Sequence, residues 1–347
     1  MPERIILTIY VDDIRSWDNC ETLCDCFYDR MGCRFALTSA DLNFTLGMDI
    51  SMGDGWLRIT SSTFILGLCA KWLEYPIGEY ETIDTPAHPK LMDFYEAAFQ
   101  QQGNTSIALG TNFRSLVCAM LFPAPSTRPD CLFCIGIHAR ALTFATDDLY
   151  KTAQRCLIYM GQTHDDGPFY SIHAENARTP VAYSDSDWGV RRSTTGGTIQ
   201  TAGASVLAVS RRQDCVTGSS THAEIVAAST VSNDVLWSSG FYREIGLDIP
   251  DPVLLMVDAS NVLTLVQNLV SSKLTKHITR RELIVREREA DNTLKVTKIS
   301  TLQNLADIFT KVLDRTPFLK FKRLILNVLA AGATWCVPRK RRSASSV

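Results

Sequence analysis

Val181-Ala182-Tyr183-Ser184-Asp185-Ser186-Asp187-Trp188 opens the stretch that decides the fold. From Pro180 the pattern changes, and residues 181–187 read as a strand. Residues 194–203 and 204–209 read as two more strands with Gly-rich turns. A long helix follows over 220–241, capped by Ser219 or Ser220. Val253 to Val257 is a run of the buried-strand type, and residues 261–269 form an apolar-periodic helix. Residues 295–299 supply a fifth strand and 302–313 a last helix. Three strands, helix, strand, helix, strand, helix is an α/β order built on one five-stranded sheet.

Four carboxylates are distributed over those elements. Asp185 falls mid-strand, Glu224 on the long helix within Ser-Ser-Thr-His-Ala-Glu-Ile-Val-Ala-Ala, Asp258 after Leu-Leu-Met-Val, and Asp307 in Gln-Asn-Leu-Ala-Asp-Ile-Phe-Thr-Lys. Each has a bland reading: Asp258 as a helix cap, Asp307 as an exposed helix residue, and Asp187 sharing a strand face with Asp185. Glu224 sits among Ala and Val positions, where an unpaired buried carboxylate is costly, and that favours a ligand role. His222 reads as a surface residue. Near the start, Ile5 to Tyr10 is an apolar, β-branched run ending at Tyr10-Val11-Asp12-Asp13, with Ile14 beyond. It reads as a hairpin whose turn presents Asp12 and Asp13.

In that order and with those flanks, the four carboxylates resemble the ribonuclease H domain that closes the Pol polyprotein of copia-type LTR retrotransposons. Tyr10-Val11-Asp12-Asp13 looks like the catalytic hairpin of the reverse transcriptase that precedes it. Between them, residues 42–50 resemble the family's "FLGIEI" strand and Asp84-Thr85-Pro86 its "TP" element. Phe113-Arg114-Ser115-Leu116-Val117 and Thr127-Arg128-Pro129-Asp130 resemble its "YRSLIGSL…TRPD" block, and residues 155–161 its "RVLRYLKG" helix. The resemblance runs from about Ile5 to Leu313. A DDE-type integrase on the same fold is disfavoured, because the preceding segment looks like polymerase.

The resemblance implies an α+β palm or connection fragment, then a ribonuclease H-like mixed five-stranded sheet with helices. The expected divisions are 1–170, 178–313 and a C-terminal helix with basic tail over 314–347. It implies Mg²⁺-dependent hydrolysis of RNA in RNA–DNA hybrids by two ions, with Mn²⁺ as substitute. Asp185, rather than Asp187, bridges both ions from the family register; Glu224 and Asp258 complete the first ion's shell, and Asp307 binds the second. Ser193, Thr194, Lys276, His277, Arg281 and Arg286 are the implied nucleic-acid contacts. Implied partners are RNA, DNA and their hybrid, together with upstream Pol segments or other Pol subunits. The implied location is a cytoplasmic virus-like particle, the nucleus, or both. Only nine residues precede Tyr10. The polymerase's third carboxylate and its fingers are therefore expected to lie outside the chain, which alone should not synthesise DNA. Asp258-Ala259-Ser260-Asn261 stands where the family has "DNQS", and the loop before Ser193 is shorter. Weakened hybrid binding is the expected consequence, and a non-catalytic remnant or host-adopted nucleic-acid-binding module is the alternative.

Bulk properties agree with a soluble globular chain: 347 residues, 46% hydrophobic and 21% charged. A net charge of −2 does not advertise a nucleic-acid binder, so that role must come from local charge. Between Lys273 and Lys298 there are eight Lys or Arg against four acids, a basic excess or else a solvated mixed-charge helix face. Eleven cysteines lack zinc-type spacing, and reduced thiols in the cytosol or nucleus are expected. The apolar stretch 324–337 is too short to span a bilayer and reads as a terminal helix, with no membrane partner. The basic run 338–342 reads as an import signal or a disordered end.

Overall fold

The computed structural model describes residues 3–38, 42–101, 107–188, 192–267 and 279–328. β1 (Ile5–Tyr10) and β2 (Asp13–Asp18) form the antiparallel hairpin, with Tyr10 opposite Asp13. Helix α1 (Glu21–Gly32) follows and buries none of its residues. A second sheet orders β3 (Phe44–Thr45), β4 (Met48–Gly53), β5 (Trp56–Thr60) and β6 (Phe169–Ser171) side by side. The sequence reading did not anticipate β6, a three-residue strand.

Helices α2 (Ser62–Trp72), α3 (Leu91–Gln100), α4 (Ile107–Met120), α5 (Leu132–Arg140) and α6 (Asp147–Gln162) build an apolar core around Ile65, Leu91, Leu116 and Leu157. Thr146 caps α6, accepting from the Leu149 amide at 3.4 Å. Inside this core lies a fully buried ion pair. Arg128 donates to both oxygens of Asp130 at 3.0 and 2.9 Å, and Tyr159 donates to the same carboxylate at 2.7 Å. Further guanidinium bonds go to the Met160 and Thr163 carbonyls, so every charge in the group is answered. Burial works against the carboxylate, yet Arg128 outweighs it and holds Asp130 down at about 2.

The third sheet carries the site. Its order is β11 (Leu294–Lys298), β10 (Val253–Val257), β7 (Val181–Asp187), β8 (Thr194–Thr201), β9 (Ala204–Arg212). β10 runs parallel to β7 and β11, whereas β8 is antiparallel to both of its neighbours. Counted along the chain this is 5-4-1-2-3, the ribonuclease H-like topology. Helices α7 (Ser220–Glu244), α8 (Ser260–Gln267) and α9 (Thr279–Ala290) accompany this sheet. Ala182, Ile199, Val231, Val235, Leu255, Val285 and Val296 form a single core there. Because side chains alternate along β7, Tyr183 turns the other way and packs on the helical core of the first half.

One C-terminal reading needs correction. Residues 302–313 are not an α-helix: Thr301–Gln303 and Leu305–Phe309 are short 3₁₀ turns. Asn304 sits between them in an extended conformation; its side-chain oxygen accepts from the Ala306 amide at 3.2 Å and its amide reaches the Ser184 carbonyl at 3.0 Å. That anchorage ends one turn and starts the next. A terminal helix, α10 (Arg315–Leu326), lies within the 314–347 segment and stops at Asn327 in the left-handed region; of the apolar stretch 324–337, residues 329–337 lie outside the described residues. Residues 329–347, including the basic run, lie outside the described residues. Leu305, Ile308, Phe309, Phe318, Phe321 and Ile325 all join the core of helices α2–α6. No described helix is long and apolar enough to cross a membrane.

Candidate carboxylate centre

Asp185 lies on β7, Glu224 near the start of α7 and Asp258 just after β10, and the fold brings the three together. A carboxylate oxygen from each falls within 4.8 Å of the other two. Among the described residues, this is the group of acidic, His or Cys side chains close enough to share an ion. Asp185 is only 2% exposed, and the other two are half-buried. Burial, then Asp185 and Asp258, push the Glu224 carboxyl up to about 8. Hard oxygen donors, converging and repelling one another, fit a divalent cation whose charge would relieve that repulsion.

Asp307 approaches from the opposite side, on the 3₁₀ turn rather than on a helix. It is buried, and burial followed by Asp185 raises its carboxyl to about 6. It does not belong to the three-carboxylate group; Lys311 lies between. The Lys311 ammonium is 3.1 Å from Asp307 Oδ1 and 3.3 Å from Asp185 Oδ2. Burial acts against that charge, but Asp185 and Asp307 outweigh it and lift Lys311 to about 12. Thr310, fully buried, donates its hydroxyl to the same Asp185 Oδ2.

Two consecutive glycines make this approach possible. Asp185 is paired with Gly196 across β7 and β8, and Ser184 with Gly197. A Cβ on Gly196 would meet Thr310 Cγ2 at 2.5 Å, the Ala306 carbonyl oxygen at 2.8 Å and Phe309 Cβ at 3.0 Å. A Cβ on Gly197, on the other face, would meet Val231 Cγ2 of α7 at 2.2 Å. One glycine admits the turn carrying Asp307 and Lys311; the next admits the helix carrying Glu224.

The other expected site residues are placed as follows. Asp187 is half-buried on the Asp185 face of β7, its carboxyl raised by burial. Ser193 and Thr194 are buried rather than presented to a phosphate. The Ser193 hydroxyl is 2.9 Å from that of Thr217, and the Thr194 hydroxyl accepts from Arg140 at 3.1 Å. Arg286 is half-buried and donates to the Leu265 carbonyl at 2.5 Å, tying α9 to α8. Arg281 is carried on α9, while Lys276 and His277 lie outside the described residues. Asp12 and Asp13 are exposed at the β1–β2 turn, with Asp13 paired to Arg15 at 3.1 Å. They are not part of the carboxylate group. The sequence reading missed Thr310, Lys311 and Gly196. The Asp307–Lys311 spacing of four was the one local signal for that pair.

Strand order and carboxylate placement together define a ribonuclease H-like unit built onto a helical segment and a hairpin. No family model matches the chain. It is 27% identical over 328 residues to the retrovirus-related Pol polyprotein from transposon RE2 of Arabidopsis thaliana, covering 92% of this chain and 22% of that protein. It is 30% identical over 219 residues to the Pol polyprotein from transposon TNT 1-94 of Nicotiana tabacum, covering 61% and 16%. A foamy viral protease–reverse transcriptase solved with double-stranded DNA aligns at a TM-score of 0.43 and 12% identity, over 85% of this chain and 46% of that one. Over most of its length the chain is similar to Pol polyproteins of copia-type retrotransposons. It spans about a fifth of the length of the curated relatives it matches.

Proposed function

We propose that this Pol segment hydrolyses the RNA strand of RNA–DNA hybrids with Mg²⁺, or Mn²⁺ in its place, held by Asp185, Glu224, Asp258 and Asp307. The observation that supports this most is the convergence of three carboxylates from three separate elements within 4.8 Å. When bound, the divalent ions supply Lewis-acid stabilisation of the phosphodiester oxygens and a more acidic attacking water. The chain's own residues hold the ligands: Asn304 fixes the turn to β7, Thr310 orients Asp185, and the two glycines set the approach of both flanking elements. Residues 1–170 serve as the end of a reverse transcriptase and 178–313 as the nuclease; polymerisation needs groups that Asp12 and Asp13 do not supply.

A second reading, a nucleic-acid-binding module without catalysis, draws support from one contact. Asn261, in the segment that departs from "DNQS", spends its amide on Thr221 at 3.0 Å rather than presenting it to a hybrid. The test is cleavage of a labelled RNA–DNA hybrid by the purified chain with Mn²⁺. Asp258→Asn is expected to lower the rate by about 100-fold or more through lost ion affinity. Equal rates for the two proteins contradict the ligand set. Tight hybrid binding without metal-dependent cutting establishes the second reading.

A further inference from the structure

We propose that Lys311 is the resident cation of the second-ion half of this centre, and that a second divalent ion enters only when its ammonium leaves the space between Asp185 and Asp307. This rests on the metal-site reading above. The observation behind it is that one ammonium bridges Asp185 and Asp307. Oδ2 already receives the Thr310 hydroxyl and lies 3.3 Å from the Lys311 ammonium, which also holds Asp307 Oδ1 at 3.1 Å. Glu224 and Asp258 each bring a carboxylate oxygen within 4.8 Å of one on Asp185, and Asp307 is absent from that cluster. One part of the site is therefore an open set of acidic ligands, and the other is closed by a lysine.

The two neighbours on the turn differ in freedom. Thr310 is fully buried against β8, whereas the Lys311 side chain is 36% exposed and sits on a long, flexible stem. Retraction of that stem needs no movement of the turn, which Gly196 and Asn304 hold in place. Lys311 is thus a positioning residue. It neutralises the Asp185–Asp307 pair while the second ion is absent, and it sets the affinity at which that ion binds.

The test is an Mn²⁺ titration of the full chain without nucleic acid, with free Mn²⁺ read from its electron paramagnetic resonance signal. Wild type, Lys311→Met, Lys311→Arg and Asp258→Asn are compared. Wild type is expected to bind one ion well and a second much more weakly. Lys311→Met is expected to tighten the second ion on the order of tenfold, since one opposing charge beside two carboxylates is removed. Lys311→Arg keeps the charge and is expected to retain the weak second site. A Lys311→Met isotherm that superimposes on wild type overturns the proposal, as does Lys311→Arg behaving like Lys311→Met. In either case a first ion lost in Asp258→Asn leaves the metal-site reading intact. A first ion unaffected by Asp258→Asn overturns that reading and the proposal together.

Discussion

Gly196→Ala adds one methyl group at the point where the carboxylate-bearing turn meets the sheet. The new Cβ would lie 2.8 Å from the Ala306 carbonyl oxygen and 3.0 Å from Phe309 Cβ, and 2.5 Å from a Thr310 methyl. The first is a backbone atom and the second sits next to the backbone, so a side-chain rotation does not relieve the overlap. The turn must retreat, or β8 must bend. Overpacking of this kind costs about 1–3 kcal/mol. At about 2–4 °C per kcal/mol for a chain of this general size, Tm should fall by about 2–12 °C. Retreat also draws Thr310 away from Asp185 and moves Asp307 and Lys311 with it. A displacement of about 1 Å at a reacting centre can cost roughly 100-fold in rate. Thermal unfolding read by circular dichroism, alongside hybrid cleavage in Mn²⁺, measures both effects. Gly197→Ala is the companion, because its Cβ would press on Val231 of α7 instead and act through Glu224. Should Gly196→Ala unfold within a degree of wild type and cleave at its rate, the close approach of turn and strand would be refuted.

Other perturbations follow from the same geometry. Arg128→Met leaves Asp130 buried and charged without its guanidinium partner, answered by the Tyr159 hydroxyl and the more distant Lys322 charge, at an expected cost of about 3–5 kcal/mol by urea denaturation. Adding Asp130→Asn should recover a large part of that loss, and a double mutant no better than the single would show that packing, not charge, is responsible. Without divalent ions, Glu224 should make stability fall as pH rises. Its folded value, about 8, lies above the ordinary 4.5. Its contribution is therefore complete below pH 4.5, declines as the unfolded chain ionises, and is lost once pH passes about 8. The loss is on the order of 5 kcal/mol, and Tm measured from pH 5 to 8.5 in EDTA and then with Mn²⁺ checks it. The slope should flatten with Mn²⁺ and in Glu224→Gln.

Much of the sheet was legible in the chain because its pattern is local. Val253–Val257 is an uninterrupted apolar run, and Ser219 does cap α7, accepting from the His222 amide at 3.2 Å. The segment after β11 was misread for a reason that is also local. Leu305, Ile308 and Phe309 recur at helical spacing, but all three are drawn into the core of helices α2–α6 while Asn304 is pinned to β7. Tertiary anchorage at both ends leaves room for one tight turn. The three-carboxylate cluster was anticipated residue by residue from resemblance, whereas Lys311 was not. Its meeting with Asp185 depends on Gly196 across the sheet, a contact between positions more than a hundred residues apart. Ser193 and Thr194, implied by the resemblance to contact nucleic acid, have their hydroxyls satisfied inside the protein by Thr217 and Arg140.

The most direct measurement is RNA-strand cleavage of a labelled RNA–DNA hybrid by the purified chain in Mg²⁺, in Mn²⁺ and in EDTA, with Asp185→Asn beside wild type. The account predicts metal-dependent cutting of the RNA strand that EDTA and Asp185→Asn both abolish. Folded wild-type protein that binds the hybrid at low salt yet leaves the RNA intact in either metal, or an Asp185→Asn variant that cuts at the wild-type rate, would contradict it.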